Sequence, residues 1–133
     1  MSKFALRKID LELKNENFSF HILNIDGKYL YEEFYEKYKK DPNYKSQFNQ
    51  IETRIITIAE GKQSELPKTK FKILKRDKSD KFVDYEIKTK DLRLYFFKDE
   101  YDRIIVIGGK KKTQAKDLSK FRAIKKEYFA NKK

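Results

Sequence analysis

The sequence predicts an α+β fold: an N-terminal strand, a helical hairpin, a three- to four-stranded antiparallel sheet and a C-terminal helix. Three observations lead there. Apolar residues alternate near the start. They then recur at three- and four-residue steps over residues 29–58. Finally, four short aromatic- and β-branched-rich segments precede a Lys-rich amphipathic stretch. A length of 133 residues fits one domain spanning 1–133.

Period-two alternation at Ile9, Leu11 and Leu13, and again at Phe18, Phe20 and Ile22, predicts two short strands, or one strand with a preceding arm. Asp26 is the expected cap of a helix over Tyr29–Lys40, with Leu30, Phe34 and Tyr38 on one stripe. Asp41-Pro42-Asn43 breaks it. Tyr44, Phe48, Ile51, Ile55 and Ile58 define a second helix that Gly61 closes, and the two helices pair as a hairpin. Lys62–Lys68 reads as a polar loop.

Strands follow at Thr69–Leu74, Phe82–Lys88, Asp91–Phe97 and Arg103–Ile107, with turns at Lys75–Lys81 and Lys98–Asp102. Four successive apolar residues, Ile104–Ile107, suit a central strand covered on both faces. The closing helix, Asp117–Phe129, points Leu118, Phe121, Ile124, Tyr128 and Phe129 inward. All helices are expected on one face of a twisted sheet. Residues 130–133 read as a frayed tail.

Charge is unevenly placed. Residues 1–50 carry nine basic and eight acidic side chains, while residues 51–133 carry 24 and 13. A positive excess in one part of a small domain points to a polyanionic partner, nucleic acid first and an acidic protein second. The bland alternative is a solvated lysine surface. The absence of cysteine excludes disulfides and thiolate chemistry, and no metal-ligand spacing occurs. No cofactor is expected. The single histidine, His21, lies in an alternating strand and reads as structural. No apolar leader and no membrane-length stretch are present, which predicts a cytoplasmic protein with no membrane partner.

The remaining chemistry is acidic and cationic. Glu86 and Lys88 repeat at the two-residue spacing that puts both on one strand face. Arg93 stands one hairpin away, and its flanking Leu92 and Leu94 point to the other face. Lys110, Lys111 and Lys112 follow the Gly108-Gly109 pair. Phosphodiester cleavage needs a base, cations for the crowded phosphorane and an acid for the leaving oxygen, and this set holds candidates for each role. The competing reading makes Glu86 and Arg93 a surface cross-strand ion pair of little energetic weight.

The segments Tyr85-Glu86-Ile87-Lys88, Leu92-Arg93-Leu94-Tyr95-Phe96, Ile104–Ile107 and Lys111-Lys112-Thr113-Gln114, with a helix ending in Glu127-Tyr128, resemble the RelE/HigB superfamily of type II toxin–antitoxin toxins. The helical hairpin also fits that order. The resemblance covers the chain from about Phe18 onward, and residues 1–16 read as an N-terminal extension. It implies a RelE-like fold and a metal-independent endoribonuclease. Such a protein cleaves mRNA on the ribosome by 2′-hydroxyl attack on the adjacent phosphate. Ribosomal RNA and a cognate antitoxin are the further partners it implies.

Carried over by position, Glu86 matches the general base, Arg93 the phosphate-binding arginine and Lys111 a catalytic cation. Lys88, Lys110, Lys112 and Tyr128 match RNA- or phosphate-binding positions. Two residues depart from the family pattern. Position 88 is Lys where Arg is common, and Leu92 precedes Arg93 where Tyr is common. Lysine lacks the bidentate fork. Two alternatives remain: a ParE-like inhibitor of DNA gyrase on the same scaffold, and a non-catalytic basic RNA- or DNA-binding module.

Overall fold

The computed structural model describes residues 3–13, 16–76, 83–100 and 102–131, with the side chains of 75 and 76 left aside. It is α+β, built on a mixed sheet of seven strands. The strands are β1 (Phe4–Lys8), β2 (Ser19–Ile25), β3 (Lys28–Tyr29), β4 (Phe71–Arg76), β5 (Val83–Lys88), β6 (Leu92–Asp99) and β7 (Asp102–Lys110). The helices are α1 (Leu30–Tyr38), α2 (Lys45–Ala59) and α3 (Gln114–Ala130). Strand order is β1-β2-β7-β6-β5-β4, and β3 adds to β2. The β2–β7 pair is parallel and every other pair is antiparallel.

The sheet therefore has more strands than expected and is not wholly antiparallel. Two strands are added: β1, from the N-terminal extension, pairs with β2 from Phe4↔Ile25 to Lys8↔His21, and the short β3 at Lys28–Tyr29 folds back on β2. Beyond β1 the chain leaves the sheet. Ile9, Leu11 and Leu13 then pack against the helical hairpin instead of forming a second strand.

The expectation of helices on one face is wrong. Along β6, Leu92, Leu94 and Phe96 join Phe34, Phe48, Ile51 and Ile55 of α1 and α2 in one core. Tyr95 and Phe97 join Phe121 and Tyr128 of α3 in a second core on the opposite face. A sheet apolar on both sides needs a cover on both sides, so α3 goes where the hairpin does not. β7 is central and buried from Arg103 to Ile107, as its apolar run predicts.

Asp26 does not cap α1. Asp26 (φ 50°) and Gly27 (φ 86°) are both left-handed, the backbone of a two-residue hairpin turn, and they join β2 to β3. Asn24 Oδ1 accepts from the Gly27 amide at 2.9 Å. Tyr29 occupies the N-cap and makes no side-chain capping bond. The end of α2 matches expectation. Gly61 (φ 81°) donates to Ile58 O at 2.9 Å and Lys62 to Thr57 O at 3.0 Å, the paired bonds of a Schellman motif.

β4 and β6 each run past their expected ends, so the Lys98–Asp102 turn is tighter than predicted. Residues 77–82, assigned to a turn and the start of a strand, lie outside the described residues, as do tail residues 132 and 133. In β7 the register shifts opposite Tyr95 and Phe96, which pair with Ile107 and Ile105. Val106 is the extra residue of this bulge, and Val106 and Ile107 both reach the α3 core.

Candidate functional site

Glu86 and Tyr95 are paired across β5 and β6, and Lys88 is paired with Arg93. Paired residues share a face, so Glu86, Lys88, Arg93 and Tyr95 all stand on the α3 side, opposite Leu92 and Leu94. The competing reading, a surface ion pair between Glu86 and Arg93, does not hold. Glu86 is 0% exposed and Arg93 is 5% exposed.

Each buried group has its own partners. The Gln114 amide donates to Glu86 Oε2 at 3.1 Å, and Lys72 Nζ from β4 stands 4.0 Å from Oε1. Arg93 Nη1 donates to Thr89 O at 2.6 Å and to Leu92 O at 2.9 Å, which turns the guanidinium toward its own hairpin turn. Burial first, and the Glu86 carboxylate second, push the Tyr95 phenol well above its ordinary value. A close side-chain interaction between the Tyr95 hydroxyl and Glu86 acts in the same direction. Glu86 Oε1, Tyr95 Oη and Arg93 Nε are buried without a hydrogen-bond partner among the described residues. Three unfilled positions in one cluster are unusual for a folded interior.

The hairpin turn is held from the other face. Gln47 of α2 donates to Asp91 Oδ2 at 2.8 Å and accepts from Thr89 Oγ1 at 2.6 Å and the Asp91 amide at 2.7 Å. Arg54 donates to Lys88 O. Lys111 begins a 3-10 turn (Lys111–Thr113) ahead of α3, and its amide donates to Asp91 O at 2.8 Å. Glu86, Arg93 and the Lys111 backbone thus gather at one end of the sheet. The side chains of Lys111 and Lys112 are exposed there.

Two predicted binding residues go elsewhere. Lys110 pairs with Leu92 and so faces the helical hairpin, where its Nζ sits 4.9 Å from the Tyr44 ring centroid. A hydrogen bond to the Tyr44 hydroxyl raises the Lys110 pKa. Tyr128 is buried fourteen residues along α3 from Gln114, about 21 Å at helical rise. Its hydroxyl donates to Asp99 Oδ2 at 2.9 Å.

Sequence reasoning did not single out Lys72, Tyr95, Gln114 or Asp117. Tyr95 follows Arg93 by the two-residue step, so its face was readable. Asp117 accepts from Thr113 Oγ1 at 2.7 Å and lies against Gly109, where a Cβ would collide with its carboxylate. Among the described residues, no group of His, Asp and Glu side chains is suited to a metal ion, and no helix is long and apolar enough to cross a membrane.

The chain matches no protein-family model, no curated protein and no solved structure.

Proposed function

We propose that this chain is the toxin of a type II toxin–antitoxin pair, a metal-independent endoribonuclease acting in the cytoplasm on ribosome-bound mRNA and neutralised by a cognate antitoxin. The observation that carries the reading is the shared face. Glu86, Tyr95 and Arg93 are neighbours on two paired strands, beside the cationic Lys111 turn. Apart from the two-residue β3, the order strand, two helices, four strands, helix from Ser19 onward agrees with it.

In this reading Glu86 takes the proton of the 2′-hydroxyl as the 2′-oxygen bonds to phosphorus. Arg93 and Lys111 balance the charge of the phosphorane, and the 5′-oxygen departs with a proton from the Lys111 ammonium to leave a cyclic phosphate. The 2′-hydroxyl takes the Gln114 amide's place on Oε2, so entry requires the first turn of α3 to lift.

The test is induction of the chain in growing cells with transcript ends mapped at nucleotide resolution. Wild type should arrest growth and leave new 5′-hydroxyl ends, and Lys111→Ala and Glu86→Gln should each remove both effects. Full toxicity in both variants sinks the assignment. Lys111 is exposed, so its truncation does not threaten folding.

A second reading is favoured by one observation: Glu86 is sealed from solvent and Arg93 Nη1 is occupied by two carbonyls. In this reading the chain is a non-catalytic basic RNA-binding module, which retains RNA with a steep salt dependence and leaves it intact.

A further inference from the structure

The solvent face of α3 is cationic and unbalanced. Lys116, Lys120, Arg122 and Lys126 stand exposed along it, and the exposed Lys111 and Lys112 precede it. Among the described residues none of these six enters an ion pair. Both acids of the helix are engaged elsewhere. Asp117 accepts from the Thr113 hydroxyl and lies against Gly109, and Glu127 pairs with Lys3 at 2.5 Å.

This arrangement works against the helix itself. Lys116 and Lys120 stand four residues apart, as do Arg122 and Lys126, and like charges at that spacing repel. Lys111, Lys112 and Lys116 crowd the positive end of the helix dipole, while the last turn carries no basic residue. A face kept only for solubility mixes its signs and has no need of this conflict. A polyanion seated on the face removes it.

The residues between the cations select the polyanion. Ala115, Ser119 and Ala123 occupy exposed positions there. Phe121, Tyr128 and Phe129 pack into the core, so α3 offers no ring to stack a single-stranded base. A lipid surface finds no large apolar side chain to take up. An acidic protein finds no aromatic or apolar anchor. The backbone of a nucleic acid duplex needs neither, because its phosphates are a fixed row of charge that cations meet from outside.

We propose that the outer face of α3 docks the chain on the sugar–phosphate backbone of duplex RNA, without regard to base sequence. The proposal rests on an RNA-directed role and adds the surface that holds the partner. The row of cations starts at Lys111, at the same end of the sheet as Glu86 and Arg93, so a docked duplex lies beside that site.

Fluorescence anisotropy with a short blunt RNA duplex tests it. Lys116→Gln/Lys120→Gln/Lys126→Gln should weaken binding by about tenfold or more and flatten the salt slope by about 2–3, as three phosphate contacts are lost. Its melting temperature should hold or rise, because repulsion leaves with the charge. Lys116→Arg/Lys120→Arg/Lys126→Arg should bind like wild type. Lys37→Gln/Lys40→Gln/Lys45→Gln removes the same charge from exposed positions on and beside the helical hairpin, and should bind within about twofold of wild type. Equal losses in the two glutamine triples, no loss in the α3 triple, or equal affinity for a DNA duplex, single-stranded RNA or anionic lipid vesicles would each overturn the proposal. Duplex binding by a chain that leaves cellular transcripts intact would sink the nuclease reading alone. Cleavage by a chain that ignores the duplex would sink this proposal alone.

Discussion

The Gln114 side chain, at the first residue of α3, donates its amide hydrogen to Glu86 Oε2 across 28 positions of sequence. The bond reaches a fully buried carboxylate and ties the start of the closing helix to the sheet.

Gln114→Ala should therefore cost about 1–3 kcal/mol, the range for leaving a buried acceptor unpaired. Urea denaturation measures the loss. Amide exchange should quicken in the first turn of α3 and stay slow around Phe121. An unchanged midpoint would mean that Lys72 alone satisfies Glu86.

Gln47 clamps the β5–β6 turn with three hydrogen bonds. Gln47→Ala should destabilise by about 2–3 kcal/mol at roughly 1 kcal/mol for each bond. If Arg93 is positioned by this turn, cleavage should fall in the same variant at temperatures where it is fully folded. Activity equal to wild type would detach the turn from the site.

Lys125 of α3 forms an ion pair with Asp84, which is 1% exposed. Lys125→Met strands a buried carboxylate and should cost about 3–5 kcal/mol. Asp84→Leu/Lys125→Met should recover most of that, because an apolar pair needs no charge balance. Calorimetry of both variants decides it, and additive losses would refute a mutual pair.

Tyr31, Tyr95 and Tyr128 all have pKa values raised above the ordinary phenol value, with burial the largest cause in each. The folded chain keeps protons that the unfolded chain releases above about pH 10. Stability is complete below that pH and falls as pH rises through it. A urea series at alkaline pH, paired with phenolate absorbance, should show these three hydroxyls ionising together with unfolding. Ionisation of all nine tyrosines ahead of unfolding would contradict the burial.

Much of the secondary structure was legible because it is written in local spacing. α2 and its Gly61 terminus follow from period and turn chemistry, β5 and β6 from short segments rich in aromatic and β-branched residues, and β7 from its unbroken apolar run. The Asp26-Gly27 turn was equally local and was misread as a cap, since Asp serves both uses. The layer arrangement was half legible: Leu92, Leu94 and Phe96 alternate with Tyr95 and Phe97, which marks β6 as apolar on both sides. The parallel β2–β7 pairing joins residues more than eighty positions apart, and nothing local encodes it. The same limit applies to the site. Spacing puts Glu86 and Arg93 on a common face, but their burial depends on which helix covers that face. The choice fell to α3 because the other core was already filled by the hairpin.

The bulge at Val106 has a consequence for length change in β7. A strand reads out its side chains in strict alternation, so excising any ordinary residue swaps the faces of everything beyond the gap. Gly108 and Gly109 would trade places, and Phe34 and Asp117 would each meet the wrong neighbour. Val106 is surplus to the ladder. A chain shortened by one residue anywhere from Ile104 to Val106 can close the bulge and keep the two glycines beneath their own helices.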